Sequence, residues 1–425
     1  MNQTQFLKKL TIELMGLYPN ELSNIIIVLP SKRAQIFLIE HIQSQLSKPI
    51  FTPNIISIED FIEDISGLHS IDSIEVLFEF YSVYSSVTDK SVIQDFETFS
   101  KWAKILIQDF NEIDRYLLDP KYIFDYLKEV EALKRWDLEI NQLTKLIDAT
   151  LEFWNKLPLY YNSLYQHLLN KKIGYQGLLY REAIQNLKKY IDQISGLKKI
   201  VFAGFNALNK AEEQIFQQLL LHEKALIYWD IDYKILQDTY HDAGYFIRKY
   251  KNDWKHYAHQ PFQWIENHFE IDKNIQIIGT PKTVGQTKIV GNLIEEIQKT
   301  NPNLESTAVV LGDENLLLPV LFNLPQAVES LNVTMGYPSK NNPAQLLVSK
   351  LFKLHINAKQ RNENQYTYYY KEVLDILNHA LVAPYLNAKS VDRIIKKNNF
   401  SFFSVDKLFQ IHNQQNTSEA NELFD

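Results

Sequence analysis

The chain has 425 residues, 45% of them hydrophobic and 13% aromatic, which is too long for one ordinary core and too apolar for global disorder; roughly two to four domains are expected. A net charge of −7 excludes a surface that grips nucleic acid over its whole extent, although a local basic groove stays open. The absence of cysteine excludes disulfides, thiol catalysis, iron–sulfur clusters and cysteine-ligated zinc, and it fits a reducing cytoplasm.

The first segment, Met1 to Leu17, is amphipathic with Lys8, Lys9 and Glu13, unlike a signal peptide. No apolar run approaches the roughly 20 residues that span a bilayer, so no membrane partner is expected. Asn24 to Leu29 reads as a buried strand because Ile25, Ile26, Ile27, Val28 and Leu29 show no polar alternation. Pro30 ends it, and Ala34 to Leu46 follows as a helix that covers one face of a sheet with apolar Ile36, Phe37, Ile39, Ile42 and Leu46. Pro53 to Ile56 is a second short strand, and Ser57 with Asp60 three residues on marks a capping-box helix start. Strand, helix, strand, helix implies parallel pairing with right-handed crossovers.

From about Ile71 to Ile194 the pattern is helical throughout, with no strand candidate. Strands return at Ile200 to Phe205 and at Ala225 to Trp229, and a further α/β block opens at Ile275 to Ile278. A helix from Val284 to Gln298 and a strand from Thr307 to Leu311 follow, and beyond about Leu354 the chain turns polar and helical.

Several patterns invite chemistry. The strand ending at Ala203 and Gly204 has the strand, turn and helix order of nucleotide-binding folds, yet it carries no acid where a nucleotide hydrolase places its metal ligands. The loop from Gly279 to Thr287 has five residues between its glycines and Gln286 in place of Lys, so it reads as an ordinary loop before a helix. Asp230 and Asp232 read as turn formers, and the 11 histidines show no metal-ligand spacing. No metal or cofactor is assigned. Tyr245, Phe246, Tyr250, Trp254 and Tyr257, interleaved with Arg248, Lys249, Lys251 and Lys255, fall near helical spacing and read as a core stripe; Tyr366, Tyr368, Tyr369 and Tyr370 are read likewise. Ser31, Lys32 and Arg33 stand between a strand end and a helix start, where backbone N–H groups, a hydroxyl and two cations form a phosphate contact or, alternatively, a solvated loop with a capping serine.

The run Ile25 to Ala34 resembles the second conserved segment of UvrD-like superfamily 1 helicases, which touches single-stranded DNA. Asn54 to Phe61 is similar to the next strand and helix of the AddB/RexB branch, and Val201 to Asn206 with Glu212 to Ile215 resembles its degenerate Walker B strand. The resemblance implies an α/β architecture of two RecA-like parallel-sheet domains with large all-helical insertions: 1–75 and 195–270 as the first, degenerate domain, 76–194 as a helical insertion, 271–358 as the second domain, and 359–425 as the start of a second insertion. It implies a cytoplasmic, non-catalytic pseudo-helicase that binds single-stranded DNA or a duplex end through Ser31, Lys32 and Arg33, scaffolds an AddA-like motor subunit and serves double-strand-break processing. The PD-(D/E)XK nuclease domain of such subunits lies far downstream, which implies either a fragment of a longer protein with that domain beyond Asp425 or a protein that has lost it. Met1 to Asn24 lacks Gly-Lys-Ser/Thr, and Ala203 and Gly204 occupy the Walker B position, so the means of stabilising phosphoryl transfer is missing. A protein-interaction scaffold without DNA contact, or an ATPase with unconventional ligands, are the alternatives.

Overall fold

The computed structural model describes residues 6–407 except 20, 47, 137–144, 195–198, 337, 340–341, 363–364, 386–387 and 405; the expectations for residues 408–425 lie outside them. The chain divides into two compact units, Met1–Asn274 and Ile275–Asp425.

The first unit is built on a parallel sheet. Its strands are β1 (Ile25–Leu29), β2 (Asn54–Ser57), β5 (Lys199–Ala203) and β6 (Ala225–Tyr228), in spatial order β2-β1-β5-β6. The register pairs Leu29 with Ser57, Val28 with Phe202, and Ala203 with Tyr228. Strand alternation divides the side chains between two cores. Ile25, Ile27, Leu29, Val201, Ala203 and Tyr228 meet Leu10 and Leu14 of α1 (Phe6–Leu17) and Leu38 and Ile42 of α2 (Lys32–Gln45). Val28, Ile200 and Phe202 face the opposite core, with Phe61 of α3 (Ile58–Ser66) and Phe216 of α9 (Lys210–Leu221). Both faces are covered, which is why β1 reads as a continuous apolar run.

Between α3 and β5 lies the expected helical insertion: α4 (Ser73–Val87), α5 (Phe96–Arg115), α6 (Pro120–Trp136), α7 (Lys145–Lys171) and α8 (Gln176–Gln193). One correction applies. Residues 173–174 form a short strand, β4 (Ile173–Gly174), parallel to β3 (His69–Ser70), which ties the last helical hairpin back to the sheet domain. Two residues are too few to leave a periodic signal. The insertion is pinned by Asp114, 0% exposed at the end of α5, which accepts hydrogen bonds from the Tyr161 hydroxyl, the Tyr175 hydroxyl (2.6 Å) and Arg181 Nε (2.6 Å). Burial raises its pKa, opposed by these donors. Arg181 also donates to the carbonyls of Ile113 and Leu118, so α5, α7 and α8 share one buried polar knot. Beyond β6 the unit closes with β7 (Ile231–Asp232), α10 (Tyr233–Gln237), α11 (Tyr245–Asp253) and β8 (Ile265–Glu266), with β7 and β8 pairing in parallel.

The second unit departs from expectation. Among its described residues the segments 275–278 and 307–311 form no regular element and have no ladder partner, and Ile277 and Val310 are 95% and 91% exposed. The second parallel sheet expected over 271–358 is therefore not formed there; α12 (Thr283–Thr300), α13 (Leu317–Asn323) and α14 (Pro343–Ile356) are its regular elements. The expected helical stretch from residue 359 contains instead an antiparallel sheet, order β11-β10-β9, of β9 (Lys359–Asn362), β10 (Gln365–Tyr369) and β11 (Phe402–Phe403), with α15 (Tyr370–Leu377) and α16 (Ala388–Lys397). Tyr366, Tyr368 and Tyr369 thus lie on a strand, not a helical stripe. Among the described residues no helix is long and apolar enough to cross a membrane.

Candidate strand-end site

The carboxyl edge of the parallel sheet is where an open α/β fold places ligands. On its β1/β2 side, two chain segments leave the sheet in register. Ser57 ends β2 and caps α3, its hydroxyl 3.3 Å from the Asp60 N–H, while Asp60 Oδ2 takes the Ser57 hydroxyl at 2.8 Å; the expected capping box is present. Ser31 occupies the N-cap of α2 in extended conformation but makes no side-chain capping hydrogen bond, so the role of a capping serine falls away. Ser31, Lys32 and Arg33 are all exposed at this corner.

The two cations differ. Lys32 Nζ lies 2.8 Å from Asp60 Oδ1. That contact raises the lysine pKa and holds the Asp60 carboxyl below the usual carboxylate range. Glu59 and Glu63 add further negative potential around Lys32. Arg33 has no ion pair among the described residues, and its guanidinium carbon sits 5.8 Å above the Phe37 ring. The structure thus brings the three expected residues to one open corner and adds a competitor, Asp60. Lys32 and Asp60 each stand three residues beyond the register partners Leu29 and Ser57, and that register comes from the fold, not from local sequence pattern.

The β5/β6 side of the same edge is closed. Ala203 is 0% exposed among Leu10, Leu14 and Ile27, not at an open ligand position. Gly204 adopts φ +76°, and its N–H donates to the Tyr228 carbonyl at 3.0 Å. Above these strand ends Phe6 meets Trp264 edge to face at 5.8 Å, and Trp264 meets Tyr228 at 4.6 Å. Lys9 stands 4.9 Å over the Trp264 ring and forms an ion pair with Glu266. Trp264 holds φ +66°, a conformation unfavourable for a bulky residue and maintained by these contacts. Sequence periodicity carries no trace of this plug, because its halves lie at opposite ends of the unit.

Three nearby carboxylates, Glu212, Glu213 and Asp232, are committed to the fold. Glu212 accepts from the Asn209 N–H (2.9 Å) and the Tyr180 hydroxyl (2.6 Å), and Glu213 from Trp254 Nε1 (3.2 Å) and Lys210 (3.2 Å). Asp232 caps α10 through the Lys234 N–H and accepts the N–H groups of His268 and Phe269, a structural role as expected. Burial and the neighbouring Glu266 raise the Asp230 pKa. No group of three or more His, Asp or Glu side chains among the described residues is arranged to hold a metal ion.

The remaining sequence candidates are structural. In the Gly279 to Thr287 loop the Thr280 hydroxyl donates to the Lys282 carbonyl at 3.0 Å, and α12 starts directly after. Tyr250 and Trp254 are buried against Trp229, at 5.6 and 5.8 Å, and Arg248 donates to the carbonyls of Ile235, Thr239 and His241. Tyr245 and Phe246 depart from the core stripe and are exposed. Comparison with protein-family models finds no match, and no curated protein matches the chain.

Proposed function

We propose that this chain is a non-catalytic, helicase-like scaffold of the AddB type, which holds a single-stranded or duplex DNA end beside an AddA-like motor subunit during double-strand-break processing in the cytoplasm. The observation that carries this reading is the asymmetry of the strand-end edge. Its β5/β6 half is filled by Phe6, Trp264 and Tyr228, with Ala203 sealed beneath α1, whereas its β1/β2 half leaves Ser31, Lys32 and Arg33 open. A nucleotide hydrolase needs the first half vacant and lined with acids; a backbone contact needs only the second. The parallel order β2-β1-β5-β6, with a long helical insertion between its second and third strands in sequence, adds support.

A second reading, a protein-interaction scaffold without nucleic-acid contact, is favoured by the Lys32–Asp60 pair and the net charge of −7. Titrating a labelled single-stranded oligonucleotide against wild type and the K32A/R33A double variant separates the two. Weaker binding by the variant is the expected result; equal affinity at low salt favours the second reading.

A further inference from the structure

Sequence periodicity assigns Ile36 and Phe37 to the buried face of α2, yet the structure leaves them 60% and 40% exposed. The helix is fixed on the sheet by Leu38 and Ile42, both buried, so Phe37 cannot rotate inward without lifting them out of the core. Its ring lies one turn beyond Arg33 on the same helix face, beneath the guanidinium. Two exposed cations are therefore followed, within one turn, by an exposed aromatic face.

We propose that Arg33 and Phe37 form a stacking platform for bases of a single-stranded nucleic acid whose backbone passes Ser31 to Arg33, an inference that rests on the reading given under Proposed function. Charge and chemistry select this occupant. A single strand offers alternating phosphates and π-faces, which match a cation beside an aromatic ring, and aromatic stacking accepts any base. The amide of Gln35 is committed to the Ile55 carbonyl at 2.8 Å and is not free to read a base edge. Glu40, exposed one turn further on, places a negative charge at the far border and confines the strand to a short contact. A purely apolar peptide would gain nothing from the two cations.

The test uses the full chain with two probes of equal length, an oligothymidylate and an abasic phosphodiester oligomer, and the variants F37A, F37W and K32A/R33A. F37A is expected to weaken oligothymidylate binding about 5- to 150-fold, leave the salt dependence unchanged, and bind the abasic oligomer as wild type does. F37W is expected to keep affinity and to show fluorescence quenching by oligothymidylate but not by the abasic oligomer. Unaltered oligothymidylate binding by F37A, with K32A/R33A weakened, overturns the platform while leaving the backbone contact standing. An equal loss by F37A on both probes overturns it too, since the ring then acts on something other than bases. No effect of either variant overturns the reading beneath it. Because Phe37 lies outside the core, F37A should keep the wild-type unfolding temperature, which separates these outcomes from misfolding.

Discussion

Placing an acid at the end of β5 gives a sharp test of which way Ala203 points. By motif logic A203D rebuilds a metal ligand; by the structure it buries a carboxylate among Leu10, Leu14, Ile27 and Tyr228 with no partner. Burial of this kind raises a carboxyl pKa by roughly 3 to 5 units, each worth about 1.36 kcal/mol, so the charged form costs about 4 to 7 kcal/mol, a large part of a typical folding stability. The folded pKa then lies above the unfolded value near about 3.9, so the penalty is small at acid pH and grows as pH rises through that window. Urea unfolding at about pH 5 and about pH 8 should show A203D less stable than wild type, with the gap wider at the higher pH. G204D is the control: the position is exposed, a Cβ there meets only Phe6 at 3.5 Å, and the cost is the left-handed backbone alone, about 1 kcal/mol. Wild-type stability of A203D at about pH 8, or its stabilisation by Mg²⁺, would refute the buried placement and reopen a metal site.

Two further predictions concern the helical insertion. A Cβ on Gly177, in the first turn of α8, would lie 2.2 Å from the Asn111 carbonyl oxygen, so G177A must separate α8 from α5 and should lower stability by about 1 to 3 kcal/mol or more in urea unfolding. Glu79 joins α4 to α7 through Lys171 (2.7 Å) and His167 (2.6 Å), and Lys171 first, then His167, holds its carboxyl below the ordinary value of 4.5. A depressed carboxyl stabilises above its unfolded pKa and loses that contribution as pH falls through the folded one. The stability gap between wild type and E79Q should therefore be near 1 kcal/mol at neutral pH and close below about pH 4, once Glu79 is protonated; a gap that stays fully open below about pH 3 contradicts the ion-pair assignment.

How far the molecule was legible varied with the range of the interactions involved. β1, β2 and the Ser57/Asp60 capping box were readable because each is specified within a few residues by apolar runs or cap spacing. The segments 275–278 and 307–311 have the same β-branched composition, but a strand exists only with a ladder partner, which composition does not supply. Phe37 was misassigned because Ile36, Phe37, Leu38 and Ile39 are apolar in succession, leaving the phase of the helix undetermined until Leu38 and Ile42 are seen to face the sheet. At the site, Ser31 to Arg33 could be located from the strand-to-helix junction, while the plug of Phe6 and Trp264 depends on residues brought together only by the fold.

The account rests on Lys32 and Arg33 meeting a nucleic-acid backbone, and the salt dependence of single-strand binding measures that directly. Each phosphate contact contributes about 0.7 to the slope of log K against log salt on single strands; with Lys32 partly neutralised by Asp60, K32A/R33A should reduce the slope by between about 0.7 and about 1.4 and weaken binding throughout. An unchanged slope and affinity would contradict it, and would leave the open corner of the sheet to a protein partner.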